Sequence, residues 1–247
     1  MKKKLLKKVI NQRVLFWFVF ASFVLSIAYI IVRIVIAPEV VPEDNYGHGM
    51  QTKSDYSLTL VMSIFGTLLL FFPSFVAKKF KIVIPSGMIV AYVIFLYCGI
   101  FLGEMASFYY NFPHWDKILH ISSGFMLGAL GFTLISFLNK TNKIPVNLSP
   151  FFVATFSFCF ALAMGALWEI FEFTVDSALG TNMQKFMLED GTPLVGQEAL
   201  NDTMWDFIID AIGALAFSFF GYFTLIRKKE SKFLNGLVFE KQDTAKN

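Results

Sequence analysis

The sequence predicts an all-α membrane bundle of about six transmembrane helices with both termini in the cytoplasm. Three observations carry that prediction. Hydrophobic residues make up 56% of the 247, charged ones only 16%, and the mean hydropathy is +0.61, more apolar material than a soluble core of this size requires. Several uncharged runs reach the roughly 20 residues that a helix needs to cross a hydrocarbon core about 30 Å thick. Lys and Arg gather in alternate loops, as the positive-inside rule requires.

The runs lie at about 14–36, 56–77, 83–110, 117–138, 150–175 and 203–226, and residues 1–247 read as one membrane domain. The first follows "MKKKLLKKVINQR", which resembles the basic start of a signal peptide. Its apolar run is too long for one and reads as a retained anchor. Residues 37–55, with two prolines and "GHG", and residues 177–201 read as external loops, and residues 227–247 as a cytoplasmic tail. The N-terminus, "KKFK", "NKTNK" and the tail hold 6, 3, 2 and 6 basic residues, which is 17 of the 21. Cys98 and Cys159 fall inside apolar runs and are expected as free thiols.

The acids occupy the opposite side. Of 18 Asp and Glu, only Glu230, Glu240 and Asp243 fall in the cytoplasmic part. Several others stand within spans, where a central carboxylate costs roughly 2.5–3.5 kcal/mol on insertion scales. In the third span Tyr97, Glu104 and Asn111 repeat every seven residues and are expected on one face. In "WDKILHISSG", Asp116, His120 and Ser123 share a face. Glu169, Glu172 and Asp176 of "WEIFEFTVD" lie within about 60° of one another, and Asp202, Asp206 and Asp210 within about 80°. Gly124, Gly128, Gly131 and Gly213 border these faces and point to close helix contact. Because alternate spans run in opposite directions, all four sets reach similar depth. They predict one polar chamber near the outer surface, built from Glu104, Asp116, Glu169, Glu172, Asp176, Asp202, Asp206 and Asp210.

Eight carboxyls in a partly desolvated space require protons, a divalent cation or a cationic substrate. Lys117, Arg33 and a protonated His120 are the nearby positive candidates. Plainer readings stand beside these. Asp116 and Asp202 suit helix N-caps, Asp176 an interfacial position, Lys117 a snorkelling side chain, and Trp115, Trp168 and Trp205 an aromatic belt. His48 and His114 lie in loops without an assigned role. The loop 177–201 reads equally as a lid or as a plain connection.

"WDKILHISSGFMLGALGF", "LWEIFEF" and "DTMWDFIIDAIGA" together resemble the YjdF-like family of multi-pass bacterial inner-membrane proteins, over roughly residues 90–226. The matching positions are Asp116 and His120, Glu169 and Glu172, and Asp202, Thr203, Trp205 and Asp206. A "TQGD"-like stretch of the family's final loop is not matched; this chain reads "VGQEALND" there. A shorter likeness to VanZ-like membrane proteins rests on the "DK..H" helix start. The resemblance implies a bacterial cytoplasmic-membrane protein and supplies no reaction.

Three functions fit the chamber. A metal-dependent enzyme would use His120, Glu169 and Asp206 as ligands of a divalent ion and Glu172 and Asp210 as catalytic carboxylates. It would act hydrolytically on a lipid or lipid-linked envelope substrate. A non-catalytic envelope sensor or accessory subunit would bind cations without turnover. A proton- or cation-coupled transporter needs an exit route, and the cytoplasmic halves of the spans offer almost no polar residues. Membrane lipid is the expected partner. Nucleic acid is not, because the basic runs are short and flank the membrane.

Overall fold

The computed structural model describes residues 2–39, 52–140, 148–188, 192–227, 234, 237 and 239–241. The helices are α1 (Lys2–Ile36), α2 (Lys53–Phe80), α3 (Ser86–Leu96, continuing as a π-helix over Tyr97–Met105), α4 (Phe108–Asn111), α5 (Trp115–Lys140), α6 (Pro150–Leu179) and α7 (Gln197–Ile226). Among the described residues, six of them are long and apolar enough to cross a membrane. Local chemistry sets several ends. Thr52 and Asp55 form a reciprocal capping box at the start of α2. Ser149 caps α6, whose first residue is Pro150, and Gly180 closes it at φ +65° with its N–H on the Asp176 carbonyl. Strands β1 (Ile82–Val83) and β2 (Glu240–Lys241) pair antiparallel, so the segment after α7 rests on the α2–α3 connection. The acidic helix ends lie at the other end of the bundle.

Ile30, Ala37 and Tyr56 form a small apolar cluster, and two larger cores hold the helices. One gathers Val19, Phe23, Leu70, Val93, Leu96 and Ile100 from α1, α2 and α3. The other gathers Ala129, Phe132, Ile135, Val153 and Phe217 from α5, α6 and α7, together with Leu234. Both cysteines are free thiols.

The third span departs from the expected straight helix. Its second half winds as a π-helix, and Ser107 then takes φ +57° before the short α4. The wider π turn and this reversal break the seven-residue register, so Tyr97, Glu104 and Asn111 do not share a helix face. The last span begins at Gln197 with Gly196 as its N-cap. Asp202 therefore stands more than a turn inside the helix, and its expected capping role is not realised. His48 and "GHG" lie outside the described residues.

Candidate metal centre

Glycines bring α5 and α7 together. A Cβ on Gly124 would collide with the Asp210 carbonyl, and one on Gly213 with the Ile121 carbonyl. Only hydrogen at both positions allows this backbone contact. It sets the Asp116–His120–Ser123 face of α5 against the Asp206–Asp210 face of α7. On α6, Gly165 leaves the space taken by the Asp210 carboxyl.

His120 stands at the centre and is buried. Its Nε2 lies 3.8 Å from Asp116 Oδ1 and 3.8 Å from Asp206 Oδ2. These separations exceed a hydrogen bond. They approach the roughly 3.4 Å between two ligand atoms that each stand about 2.1 Å from a shared tetrahedral ion. One donor atom from each of Asp116, His120 and Asp206 can be chosen so that all lie within 4.8 Å of one another. Asp206 is 1% exposed, and its Oδ1 has no hydrogen-bond partner. A buried oxygen left so is costly unless something positive reaches it. The residues present therefore fit a small divalent cation.

The other face of the imidazole meets Asp210. His120 Nδ1 and Asp210 Oδ1 are 3.4 Å apart, close enough to pair as charges but not aligned for a hydrogen bond. The Ser123 hydroxyl donates to Asp210 Oδ1 at 3.0 Å or to the His120 carbonyl at 2.7 Å. Asp210 thus lies behind the ring, on the side away from Asp116 and Asp206.

The remaining candidates divide. Glu172 is buried. Glu169 is also buried, both its oxygens lack hydrogen-bond partners, and it lines an open groove between α6 and α7. Asp176 is absorbed in structure: it accepts from Thr181 Oγ1 at 2.6 Å and from the backbone N–H groups of Met183 and Gln184 at 2.8 and 3.0 Å. Those bonds fold the start of the α6–α7 loop back over the helix end. Glu104 faces α2, where the Thr59 hydroxyl stands 3.5 Å from it. Neither Glu169 nor Asp210 belongs to the close group formed by Asp116, His120 and Asp206.

Two of the three expected counter-ions, Arg33 and Lys117, sit elsewhere. Arg33 donates to the Tyr56 hydroxyl at 2.9 Å, and Lys117 lies over the Trp205 ring. The cation at the site is Lys185, whose ammonium donates to Asp116 Oδ2 at 2.7 Å and to both Asp202 oxygens at 3.1 Å. Burial opposes its charge, but Asp116 and Asp202 outweigh that and raise its pKa above the ordinary lysine value. Tyr109 of α4 was equally hidden. Its ring packs on Gly103 with its hydroxyl toward Gly99, and its phenol pKa is raised first by burial and then by Glu104, Asp116, Glu172 and Asp206. Lys185 had a signal, as the sole basic residue between Ser177 and Asn201. Tyr109 had none, because the π-helix and the turn at Ser107 decide where it points.

A family described as "predicted membrane protein (DUF2238)" matches residues 44–227. The chain belongs to that family. The matched segment contains every residue of the candidate centre of this DUF2238 protein. An uncharacterized protein of Thermotoga maritima is 30% identical over 134 residues, which is 53% of this chain. The chain covers 58% of that relative's length. No solved structure matches the chain significantly.

Proposed function

We propose that this DUF2238 protein binds a divalent metal ion through Asp116, His120 and Asp206 and acts hydrolytically on a lipid or lipid-linked envelope substrate. The observation that carries the proposal is His120 Nε2 standing 3.8 Å from both carboxylates, with the second Asp206 oxygen buried and unpartnered. One imidazole and two carboxylates suit Zn, Mn or Fe, and three protein ligands leave a position open. When bound, such an ion supplies a water acidified toward neutral pH. Asp210, 3.4 Å from His120 Nδ1, stands on the side where a ligating histidine takes its carboxylate partner and would orient the ring by accepting that N–H once aligned. Glu172 is the carboxylate assigned to proton transfer.

The alternation of basic loops supports an inner-membrane protein of bacterial type with both termini in the cytoplasm and the centre near the outer surface. The Asp116/His120, Glu169/Glu172 and Asp202–Asp206 motifs support the YjdF-like assignment within the family.

Lys185 favours a second reading, a cation sensor without turnover. Its tethered ammonium bonds Asp116 Oδ2 while Oδ1 faces His120, so an incoming ion would share one carboxylate's charge with the α6–α7 loop. Elemental analysis of purified wild-type protein, His120→Ala and Asp206→Ala tests the shared premise. About one ion per wild-type chain, lost in both variants, is expected; a metal-free wild type contradicts both readings. Hydrolysis on a lipid panel then separates enzyme from sensor.

A further inference from the structure

The His120 centre has an outer layer. Asp116 precedes His120 by about one turn of α5, and Asp202 precedes Asp206 by about one turn of α7. Both helices start at the acidic end of the bundle, so this pair stands about 6 Å nearer that end than His120 and Asp206. His120 and Asp206 are buried, whereas the Asp116 and Asp202 side chains are 23% and 18% exposed. Lys185 joins the outer pair: its ammonium bonds Asp116 at 2.7 Å and both Asp202 oxygens at 3.1 Å, bridging α5 and α7 one turn above the centre. The segment that carries Lys185 is closed on itself. The Asn182 side chain donates to the Met187 carbonyl at 2.7 Å and accepts from the Met187 N–H at 3.0 Å. Between them Lys185 takes φ +48°, and its N–H donates to the Asn182 carbonyl at 3.3 Å. Polar bonds hold this turn to the bundle: Asp176 accepts from Thr181, Met183 and Gln184, and Gln184 donates to Thr203 at 3.2 Å. None of residues 182–187 is buried. Gly180 and Gly196 join the loop to α6 and α7 at φ +65° and +66°, and a Cβ on either would meet nothing within 4 Å. They give the chain its change of direction, and packing does not require them.

We propose that residues 181–187 are a lid over the His120 centre, turning as one body on Gly180 and Gly196, with Lys185 as its latch. The motion stands on the loop's own bonds; only what passes beneath it, a divalent ion, rests on the reading above. A segment tied by a few polar bonds, with no side chain in a core, opens locally far more readily than a packed helix. Water competes for the latch, because Lys185 is 45% exposed. Opening breaks the bonds to Asp176, Thr203, Asp116 and Asp202 and leaves the Asn182–Met187 pair intact, so the turn leaves and returns with its shape kept. Once the ammonium has gone, Asp116 and Asp202 face the passage without a cation between them and attract an incoming one.

The test is amide hydrogen exchange on the full chain in detergent, stripped of metal with a chelator and read residue by residue by fragmentation in the mass spectrometer. In wild type, Met183 and Gln184, whose N–H groups bond Asp176, are expected to exchange at one common rate, faster than Ala161 in the middle of α6. Lys185→Met is expected to quicken both about three- to tenfold and to leave Met187 and Ala161 unchanged. Lys185→Arg, which keeps the cation, is expected to hold the wild-type rate. Exchange at Met183 and Gln184 as slow as at Ala161, or unmoved by Lys185→Met, overturns the lid. A quickening that reaches Met187 or Ala161 is unravelling or general unfolding and overturns a lid that moves as one body. Zn²⁺ is then added to wild type and Lys185→Met, and its uptake is followed with a fluorescent chelator. Uptake is expected to quicken in the variant by at least the factor seen in the amides; an unchanged rate overturns Lys185 as the latch of the centre. A protein that takes up no Zn²⁺ yet shows the expected exchange sinks the metal centre and leaves the lid.

Discussion

The halves of the bundle solve helix packing differently. In α1–α3, helices meet through large side chains: Phe23, Leu70, Leu96 and Ile100 interdigitate, and Phe16 and Phe20 pack edge-on against Phe71. In α5–α7, the backbones touch at Gly124 and Gly213, and the space beside that crossing holds His120, Asp206 and Asp210. Lipid tails are as apolar as leucine, so close approach and polar contacts must supply what the hydrophobic effect does not. The comparison teaches that the clustered His120, Asp206 and Asp210 lie in the half whose helices are locked by small residues, whereas the first half holds separate polar contacts such as Arg33 on Tyr56 and Glu104 beside Thr59. In the locked half, a side chain cannot swing out to lipid without parting two backbones. The first half packs around an apolar core of large side chains.

Alanine at a tight glycine separates these modes most sharply. Gly124→Ala or Gly213→Ala forces apart two backbones and is expected to cost about 1–3 kcal/mol or more. Gly66→Ala meets only the tip of Ile100 and, more loosely, Phe23, and is expected to cost less than either. Thermal unfolding in one detergent ranks the three; an equal or larger loss at Gly66 breaks the distinction.

Asp210→Asn keeps the packing over Gly165 but removes the charge behind His120. It is expected to weaken metal binding by about 10- to 100-fold, measured by competition with a fluorescent chelator. An unchanged affinity removes Asp210 from the orienting role.

Lys185→Met removes a cation from beside Asp116. Metal affinity in the same competition is expected to rise by roughly two- to tenfold, modest because the lysine is partly exposed. A fall would mean that the ammonium organises the site instead of competing for it.

The smallest effect concerns the same ammonium and pH. Because its folded pKa is raised, its docking stabilises fully below the ordinary lysine value of about 10.4 and is lost only as pH climbs through the raised value. Near pH 9, amine-selective acylation of Lys185 read by mass spectrometry is expected to be slow. It should quicken in the Asp116→Asn, Asp202→Asn double variant; rates that match would deny the ion pair.

Much of this was legible in the chain. Helix period placed Asp116, His120 and Ser123 on one face and Asp206 and Asp210 on another, and the bordering glycines marked the faces that meet. Span direction put the acids at one end. Tertiary geometry decided the rest. Periodicity does not say which carboxyls come within reach of one imidazole nitrogen, so Asp116 joins the close group and Glu169 stands outside it. It also cannot register a π-helix, and the third span's expected face fails there. Asp176 reads as a chamber acid until the loop N–H groups it binds are seen.

The central claim is that α5 and α7 together build one metal site around His120. Pulsed electron paramagnetic resonance of the protein loaded with Mn²⁺ tests it most directly. Modulation from a directly bound imidazole nitrogen is predicted in wild type and its disappearance in His120→Ala, whereas a wild-type spectrum without nitrogen coupling would contradict the account.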